Sequence, residues 1–254
     1  MVIVYEDREA VSRAAARLFA DQALQGAGER GRFAALLSGG ETPRGSFELL
    51  GREPLRSSIP WDAVHLFWGD ERWVPLDDAR SNQGMARRAF IDQVPLSEEQ
   101  VHGIPFAASP QESAARYDRE LRGYFDGEPP RFDLVFLGLG ADGHTASLFP
   151  GNAALSERNR WACEVYRSEG DLYRVTVTAE LINQAALVVF LVAGREKAEI
   201  FSRVLEGARQ PEELPAQLIR PVTGKLLWLV DREAARLVHQ HPVVEGSTSG
   251  KVTP

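Results

Sequence analysis

A series of short, almost unbroken apolar runs limits what this chain can fold into. They are VIVY (Val2 to Tyr5), RFAALL, AVHLFW (Ala63 to Trp68), FDLVFLG, LVVFLVAG and KLLWLV. A strand with one face in water alternates polar and apolar residues. A run that is apolar throughout must be covered on both faces, as in a parallel sheet flanked by helices. Helical periodicity fills the gaps: an Ala-rich stretch ending near Gln25, a helix starting near Pro43, one after Ser81, and a longer one after Ser109. REKAEIFSRVLEG follows LVVFLVAG, and DREAARLV follows the last run; CEVYR and YRVTVT read as two further strands. No repeat is visible and no linker divides the chain. The expectation is one α/β domain over 1–242, a doubly wound (Rossmann-like), mostly parallel sheet with helices on both faces. The remainder, 243–254 (VVEGSTSGKVTP), is Gly/Ser/Thr-rich and expected to be a disordered tail.

Composition narrows the function. No apolar run approaches the roughly 20 residues of a membrane helix, and MVIVYEDREA lacks the zones of a signal peptide. Cys163 is the only cysteine, so an intrachain disulfide or a cysteine metal cluster is excluded. These features point to the cytoplasm. The net charge of −7 argues against nucleic-acid or anionic-membrane partners, so an anionic ligand needs a local basic pocket. Among 29 basic residues only Lys197, Lys225 and Lys251 are lysines, which makes Lys197 worth locating.

Ligands of doubly wound sheets sit at the C-terminal ends of strands. FDLVFLGLGADGHTASLFPG carries Gly138, Gly140 and Gly143 in the dinucleotide spacing G-x-G-x-x-G, and Glu164 stands about 20 residues on, where a ribose-binding acid would be. That fingerprint needs a long helix after its third glycine, and HTASLFPG allows about two turns. The turn is better read as presenting Asp142 and His144, since a carboxylate beside an imidazole fixes its tautomer. A histidine bonded only to its own loop is the plainer alternative. In LLSGGETPRGSF, Ser38, Gly39 and Gly40 precede Thr42 as N-cap and Pro43 in the first helical turn, a pattern suited to an anion or simply to a capped turn. FWGDERWVPLDDARSNQG places Asp70, Glu71 and Arg72 just past a strand, between Trp68 and Trp73. Asp77, Asp78 and Arg80 read as a solvated group, whereas an arginine at the strand end can clamp a phosphate or polarise a carbonyl. In VAGREKAEI, Lys197 falls in the first turn of a helix, where the helix dipole disfavours a cation unless an anion lies beside it.

SGGETP, WGDERWVPLDDARSNQG, LGLGADGHTASLFPG and LVAGREKA together resemble the glucosamine-6-phosphate isomerase/6-phosphogluconolactonase family, in particular its bacterial-type lactonases. The resemblance runs from the first strand to roughly the last helix. It implies the fold shared with glucosamine-6-phosphate deaminase and ribose-5-phosphate isomerase. It also implies hydrolysis of 6-phospho-D-glucono-1,5-lactone to 6-phosphogluconate in the pentose phosphate pathway. His144 would be the general base and Asp142 its orienter. Arg72 would be a catalytic residue that clamps the phosphate or polarises the carbonyl, with Asp70 shaping the pocket or touching sugar hydroxyls. Ser38, Gly39, Gly40, Thr42, Arg174 and Lys197 would serve the phosphate. Deaminases of the family carry a glutamate five residues after the D-G-H histidine and a tyrosine-type residue after D-E. Here those positions are Phe149 and Arg72, which favours the lactonase. A δ-lactone carbonyl is already electrophilic, so neither a metal nor another cofactor is expected. The expected partner is a small sugar-phosphate lactone, with the chain a monomer or small homo-oligomer. An isomerase or deaminase, and a non-catalytic sugar-phosphate sensor, are the competing classes. No DNA-binding segment is apparent in the sequence for the sensor.

Overall fold

The apolar runs become strands buried along nearly their whole length in the computed structural model, which describes residues 1–168 and 170–246. They are β1 (Val2–Tyr5), β2 (Phe33–Leu37), β3 (Val64–Trp68), β6 (Leu134–Leu137), β9 (Leu187–Val192) and β10 (Lys225–Asp231). Between them lie β4 (Asp70–Arg72), β5 (Val101–His102), β7 (Ala162–Arg167) and β8 (Leu172–Val177), and β11 (Val243–Glu245) comes last. The helices are α1 (Arg8–Arg30), α2 (Glu41–Leu50), α3 (Leu55–Ser58), α4 (Asn82–Ala89), α5 (Pro110–Phe125), α6 (Ala179–Ile182), α7 (Ala198–Glu206) and α8 (Arg232–Ala235).

Eight strands form one sheet in the order β11-β1-β10-β9-β6-β2-β3-β5, with every neighbouring pair parallel. From β2 the chain moves outward through β3 to β5. From β6 it moves the other way through β9 and β10. The strand order therefore reverses between β2 and β6, which opens a crevice at their C-terminal ends. A second sheet, β8 flanked by antiparallel β4 and β7, is tied to the first where Val177 N–H donates to Gly69 O (2.8 Å).

Local signals explain most helix ends. The Asp7 side chain caps α1 by accepting from Ala10 N–H (2.8 Å), Ser81 caps α4 and Ser109 caps α5. α1 runs past Gln25 to Arg30, because buried Ala23 and Gly26 keep packing inward and outweigh the roughly 1 kcal/mol that each glycine costs a helix. Phe19 of α1 sits against Phe33 and Phe136 of the sheet, with ring centroids 5.2 and 6.5 Å away.

Three strands fall outside the expectations. Asp70–Arg72 is a strand rather than a loop, because β8 offers it a ladder: Asp70 faces Thr176 and Arg72 faces Arg174. Val101–His102 extends the sheet beyond β3, although two residues carry no periodicity to read. The segment from 243 is not all tail. Val243–Glu245 pairs with β1, and Gly246 N–H donates to Val4 O (2.7 Å), while 247–254 lie outside the described residues.

Candidate active site

The four loops that leave β2, β3, β6 and β9 meet at the crevice and line a cleft of about 340 Å³, enough for one small polar ligand. Ser38, Gly39, Gly40, Thr42, Asp70, Arg72, His144, Arg174 and Lys197 all line it. Asp142 is not in its wall and contacts His144 instead.

After β6 the chain turns at once. Gly140 N–H donates to His144 O (2.8 Å), Gly143 N–H to Gly140 O (3.1 Å), and Thr145 Oγ1 to Gly138 O (2.9 Å). This folds the imidazole across Gly140 so closely that a Cβ there would lie 2.0 Å from His144 Nδ1. No long helix follows: Thr145 and Leu148 bridge each other, and the next helical turn is Ala153–Ser156. Glu164 pairs with Arg160 (3.0 Å) and is not part of the cleft wall. The glycine spacing thus serves the histidine turn and not a dinucleotide. Asp142 accepts from the His144 backbone N–H (3.2 Å) and from ring Nδ1. Burial works to raise the Asp142 pKa, but the hydrogen bond and charge of His144 outweigh it and hold the carboxyl down at about 2. With Nδ1 engaged, Nε2 is the nitrogen left for a ligand. The Phe149 ring packs on the imidazole at 4.5 Å.

The β2 loop differs from expectation by two residues. α2 starts at Glu41 and no side chain caps it; its capping residue is Gly40 at φ +109°, a conformation closed to threonine. Thr42 instead lies in the first turn, nearly buried, and its carbonyl accepts from Ser12 Oγ and Ser46 Oγ (both 3.2 Å). The uncapped first turn leaves backbone N–H groups for an anion. Ser38 Oγ beside it is buried with no hydrogen-bond partner among the described residues.

Glu71, read from sequence as part of a charged loop, is a structural peg. It accepts from the N–H groups of Arg72 (2.8 Å), Asn82 (2.7 Å) and Gln83 (2.7 Å) and from Ser81 Oγ (3.0 Å), fixing the start of α4 to β4. Burial pushes its pKa up, and those donors offset only part of the rise. Asn82, held this way, lines the cleft and donates Nδ2 to Asp70 O (2.9 Å). Asp70 is buried: Oδ2 accepts from Ser147 Oγ (2.5 Å) and lies 3.6 Å from Arg174 Nη1. Burial lowers the Arg174 pKa against the pull of Asp70, and the charges of Arg72 and Arg167 add to the lowering. Arg174 also lies over the Phe149 ring, 5.3 Å from its centroid. Arg72 donates Nη1 to Arg80 O. The Nε groups of Arg72 and Arg174 are buried without partners among the described residues. Asp77 is exposed and Asp78 pairs with exposed Arg80 (2.8 Å), as expected of a solvated group.

Lys197 sits one step earlier than expected, ending the 3₁₀ turn Arg195–Lys197 and capping α7, and it makes no ion pair among the described residues. Arg8 was not legible as a cleft residue. It opens α1 and lies 3.4 Å from Glu41 and 3.9 Å from Glu196, and all three line the cleft. The remaining histidines stand elsewhere: His65 and His102 meet at 3.1 Å, and the backbone N–H groups of His239 and His241 donate to Glu206.

A model of the family described as glucosamine-6-phosphate isomerases/6-phosphogluconolactonase matches residues 6–228 of the chain. The 6-phosphogluconolactonase of Synechocystis sp. is 45% identical over 210 residues, 81% of this chain and 85% of the relative. The structure named 6-phosphogluconolactonase from Trypanosoma cruzi superposes with a TM-score of 0.81 at 28% identity, covering 92% of this chain and 95% of that one. A monomeric glucosamine-6-phosphate deaminase superposes with a TM-score of 0.80 at 22% identity, covering 93% of this chain and 100% of that one, which shows the shared fold alone. By sequence over most of its length and by fold, the chain belongs to the glucosamine-6-phosphate isomerase/6-phosphogluconolactonase family.

Proposed function

We propose that this chain is a 6-phosphogluconolactonase, hydrolysing 6-phospho-D-glucono-1,5-lactone to 6-phospho-D-gluconate, the second step of the oxidative pentose phosphate pathway. The observation that carries the reading is an imidazole with its Nδ1 held by a carboxylate, set in a cleft beside an uncapped helix start and a lysine. The relatives named lactonases support the same conclusion.

In this reading the first turn of α2, Ser38 and Lys197 take the phosphate, and that remote grip holds the lactone for reaction. His144 Nε2 removes a proton from water as its oxygen bonds to C1. The carbonyl becomes a tetrahedral oxyanion facing Arg72. Collapse breaks the C1–O5 bond, and the imidazolium returns its proton to O5, which becomes the C5 hydroxyl. The carboxylic acid left at C1 then loses a proton to solvent. Asp142 orients the ring and stabilises its charged form, and Asp70, with its oxygens engaged by Ser147, Arg174 and Asn82, shapes the pocket. No step calls for a metal or cofactor, because the ester carbonyl is electrophilic from the start. The reading puts the enzyme in the cytoplasm, where phosphorylated sugars are metabolised.

The deaminase alternative is disfavoured by Phe149, whose ring flanks His144 in place of an ionisable group. A coupled assay decides. Glucose-6-phosphate dehydrogenase makes the lactone, and 6-phosphogluconate dehydrogenase reports its opening. Added protein should raise the second rate well above spontaneous hydrolysis; no increase would refute the reading.

A further inference from the structure

Arg174, which the family resemblance assigns to the phosphate, has other partners within the cleft. Its neighbours are Asp70, Ser147 and the Phe149 ring, and that same ring packs on His144. Arg72 sits opposite Arg174 in the β4–β8 pair. Two guanidinium charges therefore stand at the histidine end of the cleft, and among the described residues the buried carboxylate Asp70 pairs with Arg174 and not with Arg72. Both Nε–H donors are buried without a partner among the described residues. Buried donors are normally paired, so this excess of positive charge and unused N–H groups points to an anionic ligand. The arginine forks match a planar carboxylate, and a carboxylate is what hydrolysis creates beside His144.

We infer that Arg72 and Arg174 form a second anion subsite that holds the C1 carboxylate of the product. The inference rests on the lactonase reading. The lactone, neutral at C1, engages one anion subsite, and the aldonate phosphate engages two. The cleft thus binds open-chain sugar phosphates that end in a carboxylate more tightly than those that end in an alcohol. Product accumulation then slows the enzyme by competition.

The test is titration calorimetry with 6-phosphogluconate, glucitol 6-phosphate and gluconate, run beside the coupled assay. Wild-type protein should bind 6-phosphogluconate about 10-fold or more tightly than glucitol 6-phosphate, the difference expected from charge-assisted hydrogen bonds. Arg174→Gln should erase that ratio and leave glucitol 6-phosphate affinity within about 2-fold of wild type, since roughly additive effects are expected for separate subsites. Lys197→Ala should weaken both phosphates alike. Gluconate should bind weakly in wild type and lose its binding in Arg174→Gln. If melting curves show that Arg174→Gln does not fold, Arg72→Gln, whose guanidinium does not neutralise Asp70, is read in the same way. A wild-type ratio near one, or an arginine variant that weakens both phosphates equally, overturns the subsite. Calorimetry needs no turnover: absent lactone hydrolysis sinks the lactonase reading, whereas turnover with a ratio near one sinks only the carboxylate subsite.

Discussion

An imidazole can offer either nitrogen to a substrate, and its neighbour decides which. Here Asp142 takes Nδ1 of His144 and leaves Nε2 for the cleft. His144→Ala should cut kcat by about 10²–10⁴, the usual span of general acid–base catalysis, while 6-phosphogluconate still binds by calorimetry. Near-wild-type turnover would remove His144 from the mechanism. The pair also has a pH signature. The Asp142 carboxyl falls from its ordinary 3.8 to about 2 in the folded chain. A depressed acid stabilises the fold above its unfolded pKa and loses that contribution as pH falls through the folded one. The melting-temperature advantage of wild type over Asp142→Asn should therefore shrink as pH falls from 3.8 towards about 2. His144 was legible because a glycine turn at the end of a buried strand has few other uses. Arg8 and Asn82 were not, since a basic residue or an asparagine early in a helix has many ordinary roles. Only the packing of loops distant in sequence brings those two to the cleft.

β4 shows what a strand can hide at the level of elements. Its three residues, Asp70, Glu71 and Arg72, are all charged, so no alternation marks them. They become a strand through β8, about a hundred residues away. Glu71 then offsets part of the cost of its burial by pinning α4, and this positions Asn82. The turn after β6 has less tolerance still. In Gly140→Ala the new Cβ would lie 2.0 Å from Nδ1, so the ring must move. A misplacement of about 1 Å can cost 10²-fold in rate, and a loss of that order in kcat is expected. The melting temperature should change little, because the turn lies outside the sheet. Wild-type kcat in Gly140→Ala would mean that the ring's position across Gly140 is not needed for turnover.

The molecule as a whole carries −7, so it repels the ligand that its cleft is proposed to collect. Affinity must come from a few local donors, and Lys197 is the least compromised, because Arg8 already faces Glu41 and Glu196. Lys197→Ala should lower kcat/KM for the phosphorylated lactone by about 10-fold or more, the effect of deleting one charge-assisted hydrogen bond, and barely change it for plain gluconolactone. Equal kcat/KM of wild type for the two lactones would mean that no phosphate site operates. The parallel, doubly covered architecture was legible in the apolar runs; the strand order was not, because β1 inserts between β10 and β11 through pairings that no local pattern announces. That last strand has a consequence for solubility. β11 is short and exposed, yet it occupies the hydrogen-bonding edge of β1, which is otherwise a flat apolar template for another chain's strand. At the far side β5, only two residues long, offers little to pair with. Removing 243–254 should therefore leave turnover per folded molecule intact while light scattering reveals self-association that the full chain resists. The closing residues would then act as a guard against clumping, and a truncated chain that stays dispersed at the same concentration would take that role away from them.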